Sequence, residues 1–396
     1  MINYLRRTWA TVNLNHLDYN IREIKRMVSP GCEVMGVVKA DAYGHGDAMV
    51  AKRLIENGVN WFGVSNIEEA LALRSKGIDK DILIFGDTPC NFAKVLAAQH
   101  ITQTVYSPAY ALQLSRAARE QGVTVDVHIK VDTGMGRIGF LCYDDASAAA
   151  DAVEAAVLLE GLNATGIFTH FPCADEVSQS AQDYTKMQFD RFMTICALLK
   201  ERGITFRHRH CCNSAGLVCY PEMHLDMVRP GIILYGLTPS NEIADRIHFK
   251  PVMELKSVVS LVKEVDAGRS ISYGRIYTTP APRTLATVCI GYADGYTRSL
   301  SGVARMAVNG SYAPVVGRVC MDQLMLDVTG IDVKSGDVVT VFGSDCSCAV
   351  PVEEMAALSG SINYEAICLI GKRVPRVYLE DGNEVAVTDY IRQGLY

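Results

Sequence analysis

No apolar run in the 396-residue chain reaches membrane-spanning length, and the opening "MINYLRRTWATVNL" lacks the continuous apolar segment and small-residue cleavage site of a secretory signal. A cytoplasmic location is expected. There is no block of like charge either: 38 basic and 44 acidic residues leave a formal net charge of −6, which excludes an electrostatic grip on nucleic acid or anionic lipid. A small molecule is the expected partner. Repeats of solenoid period and low-complexity stretches are absent. Cysteine is not scarce, at 13, but the odd count and irregular spacing read as reduced thiols used as small core residues, with no disulfides expected. At 49% hydrophobic and 21% charged residues the composition is globular, and the length allows two domains.

What the chain does have is alternation. From Val34 onward short β-branched runs alternate with segments of helical period, the pattern of parallel strands covered by helices. The strand candidates are "VMGVV" (34–38), "WFGVS" (61–65), "ILIF" (82–85), "TQTV" (102–105), "VDVHIKV" (125–131), "ATGIFTH" (164–170), "FRHRHC" (206–211) and "LDMV" (225–228). Eight such strands close a (β/α)8 TIM barrel, expected over residues 12–240. A helix precedes the first of them, with Leu17, Ile21, Ile24 and Val28 on one face and Asn15 placed as its cap. After residue 240 short strands separated by glycine turns predict a mostly-β second domain, 241–396, joined by an N-terminal strand within 1–11 and holding one helix at "PVEEMAALSG".

In such a barrel chemistry sits at the carboxyl ends of the strands. Lys39 directly follows the first strand, Arg137 lies in the loop after the fifth, His170 ends the sixth, Asn213 and Ser214 follow the seventh, and Arg229 follows the eighth. The loops after strands seven and eight are the usual phosphate cradle of this fold. Here they read "NSAG" and "RPGI", offering the Ser214 hydroxyl and the N–H groups of Gly231 and Ile232 to a phosphate ester. A phosphate on one side of the mouth and a lysine on the other suggest pyridoxal phosphate, tied to Lys39, with Tyr43 as a further phosphate contact.

The stretches "VVKADAYGHG", "DTGMGRIGF", "FTHF", "NSAG", "RPGIILYG", "SYG", "GYADGY", "GRVCMDQ" and "INYE", in this order over essentially the whole chain, together resemble the alanine racemase family. The resemblance implies an isomerase that interconverts L- and D-alanine and so supplies D-alanine for peptidoglycan. It implies Lys39 as both the point of cofactor attachment and one catalytic base, with Tyr273 as the other base on the opposite face of the substrate. Racemisation needs both, because a proton leaves one face of Cα and arrives on the other. Free tyrosine and lysine titrate at about 10 and 10.4, so both must be shifted down, Lys39 by Arg137 and Arg229 and Tyr273 through His170. By the same resemblance Arg229 donates to the pyridine nitrogen, Arg137 and Met321 meet the substrate, Tyr364 contacts the phosphate and narrows the pocket toward alanine, and Lys130 is a position open to carbamylation. Tyr273 and Met321 reach the site from a second copy, which implies a homodimer with shared active sites. Asp41 stands where many members carry asparagine, and Arg275 falls in a variable place.

Other readings stay open at this stage. A serine or broad-specificity amino-acid racemase would share the main motifs, and a non-catalytic pyridoxal-phosphate binding protein would share the barrel but lack the β domain and its tyrosine. Gly134, Gly136 and Gly139 satisfy the dinucleotide fingerprint, yet lead into "FLCYDD" and not directly into a helix. "HRHCC" (208–212) and "CSC" (346–348) invite a metal reading, but no second cluster at ligand spacing accompanies them, and no metal is expected.

Overall fold

The computed structural model describes residues 4–246 and 248–392, so the first three residues of the expected N-terminal strand, Ile247 and the last four residues of the second domain lie outside the described residues. The chain forms two units. One comprises Leu17–Ala42 and Asp47–Lys250; the other takes the chain up to His16, Tyr43–Gly46 and everything from Pro251 on.

In the first unit eight parallel strands follow one another in space as in sequence: Glu33–Val37, Trp61–Val64, Asp81–Ile84, Ile101–Val105, Val125–Asp132, Leu162–Phe168, His208–His210 and Met227–Val228. The last pairs with the first, Met227 opposite Glu33. Between the seventh and eighth the ring is completed by single bonds, Asp226 N–H to Arg209 O at 3.1 Å and Arg229 N–H to Cys212 O at 3.0 Å. All eight lie where the β-branched runs predicted them, with ends moved by up to two residues. The sixth stops at Phe168, so His170 stands two residues beyond it. The helix before the first strand spans Leu14–Met27, and Asn13, whose side chain accepts from His16 N–H at 3.1 Å, does the capping expected of Asn15.

The barrel interior is unusual in what it packs. Met35, Trp61, Leu83, Phe168 and Met227 form an apolar cluster. Against it lie three buried imidazoles, His128, His208 and His210, the rings of His210 and Phe168 stacked 4.7 Å apart. His208 pairs with Glu33 at 3.1 Å, and all three histidines are held below their ordinary pKa, above all by burial. The "HRH" pair therefore points into the core, and among the described residues no group of metal-ligating side chains forms.

The second unit is built on a ten-stranded sheet in which Thr8–Asn13 runs antiparallel to Met253–Val265 and parallel to Arg376–Glu380. Val338–Asp345 also pairs with Met253–Val265, curling the sheet on itself. The expected strands are present, together with Leu324–Asp327, Cys348–Val350, Arg376–Glu380 and Asn383–Thr388. The single expected helix, found at Val352–Leu358, has a companion at Asn363–Cys368, which places "INYE" on a helix. Arg376 is fully buried and donates to the carbonyls of Gly44 at 2.8 Å, Gly371 at 2.7 Å, Val374 at 2.5 Å and Ile370 at 2.7 Å, a backbone clamp that holds Gly44 in this unit. The thirteen cysteines are free thiols.

The buried imidazoles make stability depend on pH with a definite sign. Unfolded histidine takes up a proton near pH 6.5, whereas folded His128 does so at about 3 and His210 also well below its usual value. The unfolded chain therefore binds more protons, and stability falls as pH drops below about 6.5, by up to roughly 1.4 kcal/mol per pH unit for each such group. Urea midpoints measured between pH 7.5 and 5 should decline, and replacing His128 by Asn should flatten the decline; a flat wild-type profile would refute the assignment.

Candidate functional site at the carboxyl rim of the barrel

Lys39 opens the segment Lys39–Tyr43, which winds left-handed: Ala40, Asp41, Ala42 and Tyr43 have φ between 53° and 55°. For L-residues this costs roughly 1–2 kcal/mol each, so the surroundings must impose it. Glu69 contributes most visibly, its two carboxylate oxygens accepting from Ala40 N–H at 2.8 Å and from Ser65 N–H at 2.7 Å. Ala42 N–H reaches Val38 O at 2.9 Å, and Asp41 accepts from Asp47 N–H at 2.9 Å. Aspartate at 41 suits the left-handed region, where short polar side chains are tolerated. Glu69 escaped the sequence reading. Its one signal is the capping pattern Asn66 to Glu69 at the start of helix Ile67–Ser75, which does not reveal that the carboxylate reaches beyond its own helix.

Arg229 is buried, and donates to neutral acceptors: from Nη1 to His210 Nδ1 at 2.7 Å, and from Nη2 to Thr169 O at 2.8 Å, Cys211 O at 3.0 Å and His170 Nδ1 at 3.3 Å. Burial draws its pKa down to about 10, and Arg137 adds to the effect. His170 is held well below the usual imidazole range by desolvation and then by Lys130, Arg229, Arg137 and Lys39 in that order. Lys130 is buried with Nζ 4.7 Å over the Phe168 ring and no hydrogen-bond partner among the described residues. Desolvation first, then Arg229 and Arg137, keep its amine toward the neutral form. Arg137 itself rides on an exposed loop shaped by Asp132, whose Oδ1 accepts from Gly134 N–H at 3.0 Å and Gly136 N–H at 3.1 Å. That loop leads into the short strand Phe140–Leu141 and not a helix, so the glycine fingerprint lacks its dinucleotide context.

On the other side of the mouth Asn213 caps the helix Ser214–Cys219, and its amide donates to Phe171 O at 3.1 Å. Ser214 Oγ accepts from Gly231 N–H at 2.9 Å, which joins the loops after strands seven and eight. Ile232 begins the tight turn Ile232–Tyr235, anchored where the Tyr235 hydroxyl donates to Val37 O at 2.9 Å. The rim thus offers hydroxyl, backbone N–H and positive charge, the chemistry that receives an anion carrying an acceptor nitrogen.

The remaining expected residues lie in the β unit. The Tyr43 and Tyr364 rings are 6.2 Å apart, and burial pushes the Tyr43 phenol up from its usual value. Tyr273 is 70% exposed and Met321 52%. Tyr273 sits at the tip of the hairpin formed by Ser270–Ile271 and Tyr277–Thr278. Its neighbour Ser272 has φ 65° and ψ −178°, a region otherwise used almost only by glycine, and is held there as its hydroxyl donates to Arg318 O at 2.7 Å. Arg275 is exposed, at φ 52° on the same tip. Met321 is fixed by "GYADGY": Ala293 N–H donates to Met321 O at 3.0 Å and Tyr292 N–H to Cys320 O at 3.0 Å. Behind it Asp294, fully buried, pairs with Arg7 and with Arg373 at 3.1 Å, and Arg373 reaches Asp322 at 2.8 Å. Sequence reasoning passed over this ion network, since nothing local joins residues 7, 294, 322 and 373.

Comparison with known proteins gives this arrangement its context. Residues 12–239 match the family model described as alanine racemase, N-terminal domain, and residues 252–378 the alanine racemase, C-terminal domain. Alanine racemase 1 of Clostridium acetobutylicum is 42% identical over 99% of this chain and 100% of its own length. The alanine racemase of Desulfovibrio desulfuricans is 45% identical over 96% and 100%. Among solved structures, the alanine racemase of Clostridium difficile 630 superposes with a TM-score of 0.92 at 39% identity, covering 98% of this chain and all of the other. That of Bacillus anthracis, with bound L-Ala-P, gives 0.92 at 35% identity, covering 99% and 100%. With both domain models matched in order and relatives aligned end to end, the chain belongs to the alanine racemase family, whose members interconvert L- and D-alanine.

Proposed function

We propose that this chain racemises alanine on pyridoxal phosphate held at the barrel rim, with Lys39 and Tyr273 as the two bases and a homodimer as the working unit. The observation that carries the reading is the buried Arg229, bonded to His210 and to His170 at the barrel rim, where His170 also feels the charge of Lys39 and Arg137. A donor-only guanidinium suits a ring nitrogen that stays unprotonated, and the Ser214 hydroxyl with the backbone of Gly231 and Ile232 suits a phosphate ester. Tyr43 is assigned to the phosphate from its place just after Lys39, whereas Tyr364 is assigned to the phosphate, and Met321 to the substrate, on family resemblance alone. When bound, the cofactor supplies an electron sink that acidifies the substrate's α-hydrogen.

The protein's own groups do the rest. Lys39 amine receives or returns a proton on one face of Cα, and Tyr273 hydroxyl, lent by a second copy, does so on the other. The exposure of Tyr273 supports that loan, as does the strained tip that presents it. Arg137 binds the substrate carboxylate. Lys130, kept neutral, is suited to add carbon dioxide through its nitrogen with loss of a proton, and the resulting carboxylate would offset the charge of Arg137 and Arg229. A D-alanine supply for peptidoglycan made in the cytoplasm is the expected setting.

Two measurements test this. Borohydride reduction of the purified protein, followed by peptide mass analysis, should place a pyridoxyl group on the Lys39 peptide; an adduct elsewhere, or none, overturns the cofactor assignment. In heavy water Tyr273→Phe should lower racemisation by about 10²–10⁴-fold in both directions, because the two enantiomers are equally stable. Exchange of the α-hydrogen should nevertheless survive for one enantiomer, through Lys39. Equal loss of exchange from both would refute two one-sided bases.

A further inference from the structure

Behind Arg229 the barrel holds a line of imidazoles whose hydrogen bonds can run in one direction only. Arginine has donors and no acceptor, so where its Nη1 meets His210 Nδ1 at 2.7 Å the imidazole nitrogen must accept. A neutral His210 then carries its proton on Nε2, which lies 3.0 Å from His128 Nδ1. That nitrogen must accept in turn, and His128 carries its own proton on Nε2, buried with no partner among the described residues. A second proton on either ring would set N–H against N–H. Burial and the charge of Arg229 oppose protonation of both rings, and His208 beside them pairs with Glu33.

The fold makes room for the outer end of this line. Gly166, opposite His128 on the sixth strand, could not carry even a methyl group: a Cβ there would stand 2.5 Å from His128 Nε2. Its φ is not positive, so the glycine answers to the imidazole and not to backbone torsion.

We infer that His128 is a positioning residue for the racemase site: through His210 it fixes the direction in which Arg229 presents its remaining donors to the ring nitrogen of the cofactor. The effect on the cofactor rests on the function proposed above; the direction of the hydrogen bonds does not. Asparagine at 128 keeps an acceptor at the place of Nδ1, whereas leucine removes it. Without that acceptor the buried Nε2–H of His210 is unpaired, and the ring, no longer anchored, tilts and weakens the bond that Arg229 donates to its Nδ1.

The test uses holoenzyme labelled with ¹⁵N-histidine, wild type, His128→Asn and His128→Leu, between pH 6 and 9. In wild type His210 should be a single Nε2–H tautomer that does not titrate, and His128→Asn should preserve this. In His128→Leu His210 should stay Nε2–H, because Arg229 still donates to Nδ1, but its nitrogen signals should move toward those of a more weakly hydrogen-bonded imidazole. The pH midpoint of the cofactor's visible absorption band should move in parallel, and kcat should fall by about tenfold, the scale of one net hydrogen bond, with KM little changed. A wild-type His210 that is Nδ1–H or titrates in this range overturns the proposal, as does a leucine variant with unchanged His210 signals, or an asparagine variant as impaired as the leucine one. Should His128→Leu fail to fold, wild type and His128→Asn still decide. Loss of the Lys39 adduct would refute the cofactor reading while leaving the tautomer measurement intact.

Discussion

A buried guanidinium stabilised by neutral acceptors is the constraint on which the rest of the barrel depends. Arg229 bonds two imidazoles and two backbone carbonyls. Its charge, left partly uncompensated by protein, spreads outward. Added to the burial that acts first, it lowers the pKa of His170 and His210, and with Arg137 it helps hold Lys130 toward its neutral amine. A carboxylate in the place of His210 would cancel that field and remove the chain's means of keeping its neighbours unprotonated. His210, which invites a metal reading in the sequence, is thus, with His170, one of the neutral partners among which a cation is buried.

The fold was legible because its signals are local and repeated. Eight β-branched runs, each bounded by turn residues, predict eight parallel strands, and the strands are there. What escaped has no local signal: Glu69 bracing the backbone of the Lys39 segment and of Ser65, Asp294 joining Arg7 to Arg373, and the strand Arg376–Glu380, whose partner Thr8–Asn13 lies at the other end of the chain. The cap at Asn13 was misplaced to Asn15 because both residues are competent and only the path of the chain decides. Of the site, Lys39, Arg137 and Arg229, with Tyr43 beside the first of them, could be placed from strand ends alone. Lys130, Tyr273, Tyr364 and Met321 came only through family resemblance, since no periodicity marks such side chains as functional.

The loops that carry the two proposed bases share a physical character. Lys39 heads four left-handed residues, and Tyr273 stands beside a serine in a glycine-like conformation. Each distortion is held by named bonds from a neighbouring segment, the Glu69 carboxylate in one case and the Ser272 hydroxyl to Arg318 in the other. Strain of this kind limits where a side chain can go, which suits groups that must hold a proton at a fixed point.

The left-handed turn has a stereochemical corollary. Ala40 to Tyr43 trace the mirror image of an ordinary helical turn, a shape in which residues of D configuration are at rest and those of L configuration are not. A chemically synthesised chain with D-alanine at 40 and 42 would adopt it without cost. Ribosomal synthesis has no such option, so a member of a family that makes a D-amino acid carries, next to Lys39, a stretch of backbone with the handedness of that product.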